Sequence, residues 1–407
     1  MALRVQKYGG SSVGSVERVT AVADRVAAAR EQGDDIVVVV SAMGSTTDEL
    51  ISLSRQVTPN PDPRELDTLL STGELVTSTL LAMALRERNH PAVSLSGLQA
   101  GIRTDSDFTR ARITEVEPHR ALDEISRGNI VIVAGFQGTT DAMETTTLGR
   151  GGSDTTAVAL AAALRPEVCE IFTDVDGIYT ADPRLVPNAR PLVDISYEEM
   201  LEMASEGARV MHHRAVELAW VYDVPIHISS TFTYGRGTRI HGGPLMEIRN
   251  KVRGIAHETD VARVTVRRVP DQPGIAADLF SPLADAGISV DIIVQNVGED
   301  GHSDVSFTVA NGDVEATLEH VRAVATTFKA GEVTADRQLA KVSVVGAGLQ
   351  NSPGYAARTF QALSGAGINI EMITTAEISI TCVVRESAVE EATRALHAAF
   401  DLEETDG

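Results

Sequence analysis

A lysine and two glycines near the start of the chain are the first residues whose types suggest chemistry, in Lys7-Tyr8-Gly9-Gly10-Ser11-Ser12-Val13. Glycines let a backbone approach a ligand closely and turn its N–H groups toward phosphate oxygens. Lys7 is the only lysine among residues 1–250, although arginines are common there. Because an ammonium is a compact charge and a guanidinium is a planar fork, this choice favours a phosphate-binding lysine. By spacing alone, an ordinary strand-to-helix turn with a solvated lysine is an equally good interpretation.

A second candidate anion site lies in Thr147-Leu148-Gly149-Arg150-Gly151-Gly152-Ser153-Asp154-Thr155-Thr156. Three glycines and Arg150 precede Ser153 and Asp154, and either of these two residues can cap the alanine-rich helix predicted to follow. A helix N-terminus attracts anions, and an arginine can hold a carboxylate or a phosphate through two parallel hydrogen bonds. The alternative is a capped helix after a flexible loop, in which Asp154 is only the cap.

Residues 173–184, Thr-Asp-Val-Asp-Gly-Ile-Tyr-Thr-Ala-Asp-Pro-Arg, have the acidic spacing of a calcium loop at their start. An EF-hand counted from Asp174 needs its bidentate glutamate at position 185, where the chain has Leu185, so the pattern does not predict calcium. The segment still offers an aspartate at a predicted strand end, the aromatic ring of Tyr179 and the cation of Arg184. These groups are suited to a nucleotide.

Several motifs are absent or weak. No Gly-Lys dipeptide occurs, so there is no Walker P-loop, and the protein-kinase signatures are missing too. Glu74 follows a glycine within a helical run, and a lone glutamate there is typically solvated surface. His212-His213 has no third ligand at metal spacing, so no metal site is predicted. Any phosphoryl transfer therefore requires another scaffold.

Short apolar runs alternate with helical runs through the first half of the chain. The predicted strands are residues 3–5, 36–40, 92–95, 130–134, 168–172 and 225–228, and the predicted helices include residues 15–30, 65–88 and 153–164. This alternation predicts an α/β fold with a mostly parallel sheet between two helix layers. Ligands bind beyond the carboxyl ends of such strands. Lys7, Ser41, Gly135 and Thr173 each follow a predicted strand, so we expect one shared site.

Composition limits the class of protein. Of 407 residues, 43% are hydrophobic and 23% charged, as in a globular protein long enough for two or three domains. The net charge of −22 argues against a nucleic-acid partner, which requires a basic surface. We find no apolar run of about 18 residues and no signal peptide, so no membrane partner is expected. Cys169 and Cys382 lie in apolar runs and are interpreted as buried free thiols, which fits a cytoplasmic location.

After residue 245 the chain contains a repeat. Pro273-Gly274 matches Pro353-Gly354, and Ala286-Gly287-Ile288 matches Ala366-Gly367-Ile368, in each case 80 residues later. Each copy reads strand, Pro-Gly turn, helix, glycine, strand, and such copies are expected to pair side by side. The pattern resembles the ACT module, a βαββαβ domain that binds amino acids at module interfaces. A purely structural duplication is the alternative interpretation.

The repeat contains candidate groups for an amino-acid ligand. The turns Asp271-Gln272-Pro273-Gly274 and Asn351-Ser352-Pro353-Gly354 precede helix starts whose N–H groups, at Ile275 and Tyr355, are suited to a carboxylate. The strands at residues 289–292 and 369–372 each place an acid, Asp291 or Glu371, at the same repeat position, where it is suited to an ammonium. The full set of predicted regulatory residues is Asp271, Gly274, Ile275, Ala276, Asp291, Gln295, Tyr355, Asn369 and Ile370.

Taken together, the lysine-glycine motif, Ser41-Ala42-Met43-Gly44, Ser71-Thr72-Gly73-Glu74, residues 147–156 and residues 173–184 resemble aspartokinase in order and spacing. With the doubled ACT-like tail, the resemblance covers nearly the whole chain. It implies a three-layer amino-acid-kinase fold plus two ACT-like modules. The implied domains are residues 1–245 (catalytic), 246–337 (first module with a leading strand) and 338–407 (second module).

The resemblance also implies roles for individual residues. Lys7 would bridge phosphates and stabilise the moving phosphoryl group. Ser153 and Asp154 would line the aspartate pocket, and Asp154 is the second predicted catalytic residue. ATP, with Mg2+, would be held by Lys7, Gly9, Gly10, Ser41, Thr173, Asp174, Tyr179, Arg184 and Arg209. L-Aspartate would be held by Thr47, Glu74, Arg150 and Ser153, with Glu74 near the amino group and Arg150 on the α-carboxylate. Arg209 stands where the family usually has lysine, which leaves its geometry open.

The implied activity is ATP-dependent phosphorylation of the aspartate β-carboxylate, the first step toward lysine, threonine and methionine. Lysine, threonine or both would regulate it through the ACT-like modules. The modules would also mediate self-association, either as a homo-oligomer or as an α2β2 assembly with a C-terminal fragment started at Met246. The alternatives are a kinase for another acidic amino acid, such as acetylglutamate, and a catalytically inactive amino-acid sensor.

Overall fold

The computed structural model describes residues 2–208, 210–233, 235–242, 251–298, 301–349 and 353–404. Four predicted features lie outside these residues: the nucleotide contact of Arg209, the domain boundary at 245 and 246, the start at Met246, and the first half of the turn at Asn351-Ser352. The described chain forms two compact units. The first comprises Met1–Tyr179, Pro191–Ser205 and Arg209–Ile248; the second comprises Thr180–Arg190, Glu206–Ala208 and Arg249–Gly407.

Strands and helices alternate through the first unit. Its strands are β1 (Leu3–Tyr8), β2 (Asp35–Val40), β3 (Ala92–Leu95), β4 (Ile102–Thr104), β5 (Ile113–Val116), β6 (Ile130–Ala134), β7 (Gln137–Thr139), β8 (Thr145–Thr147), β9 (Cys169–Thr173), β10 (Asp194–Ser196), β11 (Ile226–Ser230) and β12 (Thr238–His241). Its helices are α1 (Val16–Glu31), α2 (Thr46–Val57), α3 (Pro63–Leu70), α4 (Thr72–Glu87), α5 (His119–Ser126), α6 (Gly152–Leu164), α7 (Tyr197–Ser205) and α8 (His213–Tyr222).

Within the described ranges, eight of these strands form one sheet in the order β10-β12-β11-β9-β1-β2-β6-β3. All its neighbouring pairs are parallel except β11 with β12. The run Val37–Val40 is fully buried because helices cover both faces: α1 and α4 pack on the face of Val38 and Val40, and α6 packs on the other. The predicted three-layer α/β fold is confirmed. A smaller sheet, β5-β4-β7-β8, lies beside it in this unit.

The helix predicted over residues 65–88 is instead two helices, α3 and α4, which meet at Ser71. Together they form Pro63–Glu87, the one described stretch long and apolar enough to cross a membrane by length and composition. Half of its apolar window is buried inside the protein, as in many core helices, so the length and composition are weak evidence for a membrane span. Both cysteines are buried free thiols, as predicted.

The repeat builds the second unit. Its strands are β13 (Gly254–Pro270), β14 (Ile293–Val297), β15 (His302–Val309), β16 (Val333–Val345), β17 (Met372–Thr375) and β18 (Ser379–Arg385). Its helices are α9 (Ile275–Asp285), α10 (Val314–Thr327), α11 (Tyr355–Gly365) and α12 (Val389–Ala399), with short 3-10 turns at Asn311–Asp313 and Glu386–Ala388. In the described part of the chain, the six strands form one continuous sheet in the order β14-β15-β13-β16-β18-β17, so the copies pair side by side as expected.

The two long central strands each serve both copies. Residues 254–258 of β13 pair with residues 341–345 of β16, and residues 261–266 pair with residues 333–339. The core around the second copy accordingly contains Ile255, together with Ala181 and Val186 from a segment far earlier in the chain. The boundary predicted between 337 and 338 falls inside β16 and stays a prediction.

Candidate active site

Four strand ends meet in the central sheet of the first unit. Tyr8 lies opposite Val40 of β2 and Phe172 of β9, and Val40 lies opposite Ala134 of β6. Each strand therefore ends at the same edge, and the residues that follow can share one site. Backbone bonds connect these ends: Gly9 N–H donates to Phe172 O at 3.2 Å, and Gly135 N–H donates to Val40 O at 3.0 Å.

Lys7 lies inside β1 rather than after it, which corrects the expectation that it belongs to a turn. The strand extends through Lys7 because the residue is paired in the ladder with Val39 on one side and Ile171 on the other. Its side chain is buried, and the ammonium Nζ lies 2.5 Å from Oδ1 of Asp154. A buried cation with one carboxylate partner is held in a fixed place at the end of the sheet.

Asp154 reaches Lys7 from the first turn of α6 and does not cap this helix. The helix begins at Gly152, its N-cap is Gly151 with φ +69°, and no side chain caps it. The expectation that Ser153 or Asp154 caps the helix was therefore wrong. A Cβ on Gly151 would lie 2.1 Å from Cβ of His212, so close packing and the left-handed backbone both require glycine here.

Glu74 is buried in α4 with 2% of its surface exposed, contrary to the solvated position typical of a lone helical glutamate. Its Oε1 accepts a hydrogen bond from Ala42 N–H at 3.0 Å, and its Oε2 is buried without a hydrogen-bond partner among the described residues. Burial raises the pKa of Glu74 to about 7. The preceding Gly73 allows this approach, because a Cβ there would lie 2.9 Å from Cβ of Ala42.

A cavity of about 840 Å³ joins these groups within the first unit. Of the predicted site residues, those that line it are Lys7, Gly10, Ser41, Thr47, Glu74, Arg150, Ser153 and Asp154. The cavity thus contains the buried carboxyl group of Glu74 with its unsatisfied oxygen, the exposed guanidinium of Arg150 and the Lys7–Asp154 pair, and it is also lined by Asp48 and Arg55. The N-terminus of α6 also faces it, and the first N–H groups of a helix have no partners within the helix.

Two of the predicted nucleotide residues, Thr173 and Asp174, lie at the end of β9. Thr173 closes β9, and its hydroxyl donates to Oδ1 of Asp174 at 3.1 Å. Tyr179 forms an isolated bridge with Pro191, and burial raises the pKa of its phenol. Arg184 belongs to the second unit, where its guanidinium donates to both carboxylate oxygens of Asp182.

Sequence analysis missed two charged residues near the cavity, Asp67 and Arg214. Asp67 is fully buried and accepts bonds from Thr109 and Thr147, and Arg214 donates to the carbonyls of Ala111 and Leu148. Neither has a motif around it, and a charged residue on a helix is usually solvated, so the sequence alone carried no signal for them.

The predicted regulatory residues lie in the second unit. Gly274 and Gly354 have φ near +100° and precede α9 and α11, as the Pro-Gly turns predicted. The N–H of Ile275 is directed at Gln272 O at 3.5 Å, so it is less free than expected. Gln295 donates to Ser303 Oγ at 3.1 Å, and the ring of Tyr355 stacks on Phe400.

The acids at the equivalent repeat positions already bind cations of this chain. Asp291 Oδ2 lies 2.7 Å from Nζ of Lys341, and Glu371 contacts Arg263 and Arg385. Burial opposes a charged Lys341, but Glu206 and Asp291 outweigh it and raise the pKa of the lysine. A ligand ammonium at Asp291 would therefore compete with Lys341, and the predicted role of these acids toward a ligand stays a prediction.

Comparison with known proteins agrees with this architecture. The amino acid kinase family matches residues 2–230, and ACT domains match residues 263–326 and 342–400. The chain belongs to the amino acid kinase family of phosphotransferases and has two ACT domains.

Within that family it belongs with the aspartokinases. It is 49% identical over 404 residues to the aspartate kinase Ask_LysC of Stutzerimonas stutzeri, covering 99% of this chain and 98% of that relative. The structure is similar to E. coli aspartokinase III in complex with aspartate and ADP (TM-score 0.83, 27% identity, 98% and 99% of the two chains covered). It is also similar to the same enzyme in complex with lysine and aspartate (TM-score 0.76, 26% identity, 98% and 99% covered).

Proposed function

We propose that the protein is an aspartate kinase that transfers the γ-phosphoryl group of ATP to the β-carboxylate of L-aspartate. The observation that carries this proposal is the unsatisfied, buried Oε2 of Glu74 in the same cavity as Arg150 and Lys7. An α-amino dicarboxylic acid has the complementary charges: an ammonium for Glu74, an α-carboxylate for Arg150, and a second carboxylate that can face the phosphate beside Lys7. Thr47 and Ser153, which also line the cavity, supply hydroxyl groups for the same ligand.

The proposed chemistry requires alignment and charge neutralisation more than proton transfer. A carboxylate is ionised at neutral pH, so it attacks phosphorus without a general base. Lys7 neutralises charge on the moving phosphoryl group, and Asp154 fixes the lysine side chain at 2.5 Å. Gly9, Gly10 and Ser41 follow β1 and β2. The N–H groups of Gly9 and Ser41 already donate to Phe172 O and Tyr8 O, so the proposed phosphate contacts are the backbone of Gly10 and the hydroxyl group of Ser41, with Gly9 allowing a close approach.

ATP is the proposed second substrate, and Thr173, Asp174 and Tyr179 are its proposed contacts in the first unit, with Arg184 and Arg209 as further predicted contacts. Among the described residues, no group of three or more His, Cys, Asp or Glu residues is placed to hold a metal ion. Mg2+ usually keeps several waters and is bound by substrate phosphates with one or two carboxylates. The side chains present therefore fit a Mg2+ ion that arrives with ATP. When bound, this ion would neutralise part of the charge of the ATP phosphates.

The second unit is proposed to bind lysine, threonine or both. These amino acids are end products of the proposed pathway to lysine, threonine and methionine, and their binding would inhibit the kinase. The similarity to an aspartokinase solved with lysine and aspartate supports this role. The proposed ligand contacts are the helix starts at Ile275 and Tyr355 and the acid Asp291. Self-association through the ACT domains and a cytoplasmic location belong to the same proposal.

An ATP-dependent assay with three acceptors tests the activity. Aspartate, glutamate and acetylglutamate are each incubated with the protein, ATP and Mg2+, and the acyl phosphate is trapped with hydroxylamine while ADP release is followed. We expect product with aspartate and a strong preference for it over the others. Preference for acetylglutamate would indicate the other acidic-amino-acid kinase, and no turnover with any acceptor would indicate an inactive sensor.

A further inference from the structure

Asp67 connects two segments of the cavity wall from below the surface. Its side chain is completely buried and accepts N–H of Thr109 on both oxygens, at 3.0 and 2.9 Å. It also accepts N–H of Thr147 at 2.8 Å and the hydroxyl of Thr147 at 2.6 Å. Burial raises the pKa of Asp67, opposed by these same bonds, so the hydrogen bonds are what keep a carboxylate acceptable at this position.

Arg214 of α8 holds the same two segments through their carbonyl groups. Its Nη1 donates to Leu148 O at 2.6 Å and its Nη2 donates to Ala111 O at 3.0 Å. The segments are joined directly as well, because Ala111 N–H donates to Thr147 O at 2.9 Å. We call residues 109–111 and 147–148 the paired segments.

We propose that Asp67 and Arg214 are positioning residues for aspartate binding, which act by fixing the paired segments and through them Arg150. This inference rests on the proposed role of Arg150 as the partner of the aspartate α-carboxylate. Thr109 and Thr147 line the cavity, whereas Asp67 and Arg214 are absent from its wall. The carboxylate of Asp67 accepts hydrogen bonds from N–H groups of the paired segments, and the guanidinium of Arg214 donates to their C=O groups. The two charged residues thus bind opposite polar groups of the same backbone.

The backbone that joins the paired segments to Arg150 explains how the position of these segments determines the position of Arg150. Gly149, directly after the second paired segment, has φ +73°. A Cβ there would lie 3.1 Å from Thr109 O, so the backbone of Gly149 packs closely against the first paired segment. Gly151 follows Arg150 with φ +69°. An arginine between two glycines has little local stiffness of its own. Its position therefore depends on the fixed backbone before Gly149 and on α6 after Gly151.

The test measures KM for aspartate and KM for ATP in two variants that each remove one charge, Asp67→Asn and Arg214→Met. Asparagine keeps the shape but turns a donor toward backbone donors, and methionine keeps the alkyl stem of arginine. We expect KM for aspartate to rise about 10-fold or more, as for loss of a hydrogen bond to a charged group, while KM for ATP changes less than about 2-fold.

Matched controls come from the end of the central sheet that lies opposite the cavity, where β2 and β6 begin. Arg30 donates to the carbonyls of Asp34 and Gly128, and the buried Glu124 accepts a bond from Asn129. Arg30→Met and Glu124→Gln remove similar bonds without contact to the paired segments. They should lower the melting temperature but leave KM for aspartate unchanged.

A double variant tests whether Asp67 affects aspartate binding through Arg150. In Arg150→Met, which should itself raise KM for aspartate, adding Asp67→Asn should produce little further rise, because the contact it positions is already gone. A full additional 10-fold rise in the double variant would overturn the inference. So would equal effects on aspartate and ATP, or a rise in KM for aspartate in the control variants.

Hydrogen exchange gives a readout that does not depend on activity. The amides of Thr109 and Thr147 should exchange about 10-fold faster in both test variants, while those of β2 stay protected. Absence of aspartate-dependent ADP release in the unmodified protein would refute the proposed function and leave this measurement intact. Unchanged exchange at Thr109 and Thr147 would refute the positioning role whatever the substrate.

Discussion

Lowering the pH from 8 to 6 should reduce kcat/KM for aspartate about 10-fold through a single group, Glu74. Burial raises the pKa of Glu74 from 4.5 to about 7, which corresponds to roughly 3 kcal/mol against the charged form. Only the ionised carboxylate attracts an ammonium, and about nine-tenths of it is ionised at pH 8 but only about one-tenth at pH 6. A glutamate with its ordinary pKa would stay ionised across this range.

The assay is a pH profile of kcat/KM for aspartate at saturating ATP, because this parameter reports groups of the free enzyme. In the proposed complex the ammonium of aspartate lies beside Glu74 and lowers the pKa of that carboxyl, so kcat should vary little while KM rises at low pH. Glu74→Gln keeps the bond from Ala42 N–H but cannot ionise. Its profile should be flat between pH 6 and 8, with KM high throughout.

Stability supplies an independent check with a defined sign. A carboxyl whose pKa is raised by folding contributes stability that is fully present below pH 4.5 and is lost as the pH rises toward 7. Relative to Glu74→Gln, the unmodified protein should therefore lose roughly 3 kcal/mol between these values. If the free energy of unfolding of Glu74→Gln still changes slope near pH 7, or if that of the unmodified protein does not, a group other than Glu74 is titrating.

Three more outcomes follow from described contacts. Lys7→Ala should lower kcat by about 10²–10³ with the fold retained by circular dichroism, and near-normal turnover would show that its ammonium does not meet the phosphates. Gly151→Ala should lower the melting temperature strongly, since its Cβ would lie 2.1 Å from Cβ of His212 in a left-handed backbone; an unchanged melting temperature would contradict that packing. Asp291→Ala, which removes one of the two carboxylates beside Lys341, should raise the lysine or threonine concentration that halves the variant's own uninhibited rate; unchanged inhibition would exclude Asp291 from the ligand site.

The sheet and the meeting point of its strands could be predicted because apolar runs are a strong local signal. The all-aliphatic run of β2 required burial on both faces, and parallel strands carry the residues after them to one edge. The position of Lys7 could not be predicted in the same way. Its place inside β1 depends on ladder partners from β2 and β9, which lie far away in sequence.

The electrostatics of the site were the least accessible from sequence. Glu74 and Asp67 occupy helix positions that would be solvated in most proteins, and only tertiary contacts with Ala42 and Thr147 bury them. Gly73 was a usable sign for Glu74, because a glycine inside a helix often marks a close approach. The repeat could be recognised from its constant offset of 80 residues, but the pairing of Asp291 with Lys341 could not be predicted.

The composition of the second unit has a consequence for synthesis on the ribosome. Ala181 and Val186 pack in a core built mainly from the second ACT repeat, and Arg190 donates to Leu402 O, 212 residues later. At about 5–20 residues per second, the segment Thr180–Arg190 emerges roughly 10–40 s before its last partners. A nascent chain therefore carries an apolar segment that cannot be buried in its final core until translation is nearly complete. A C-terminal fragment begun at Met246 would have to form that core without this segment altogether.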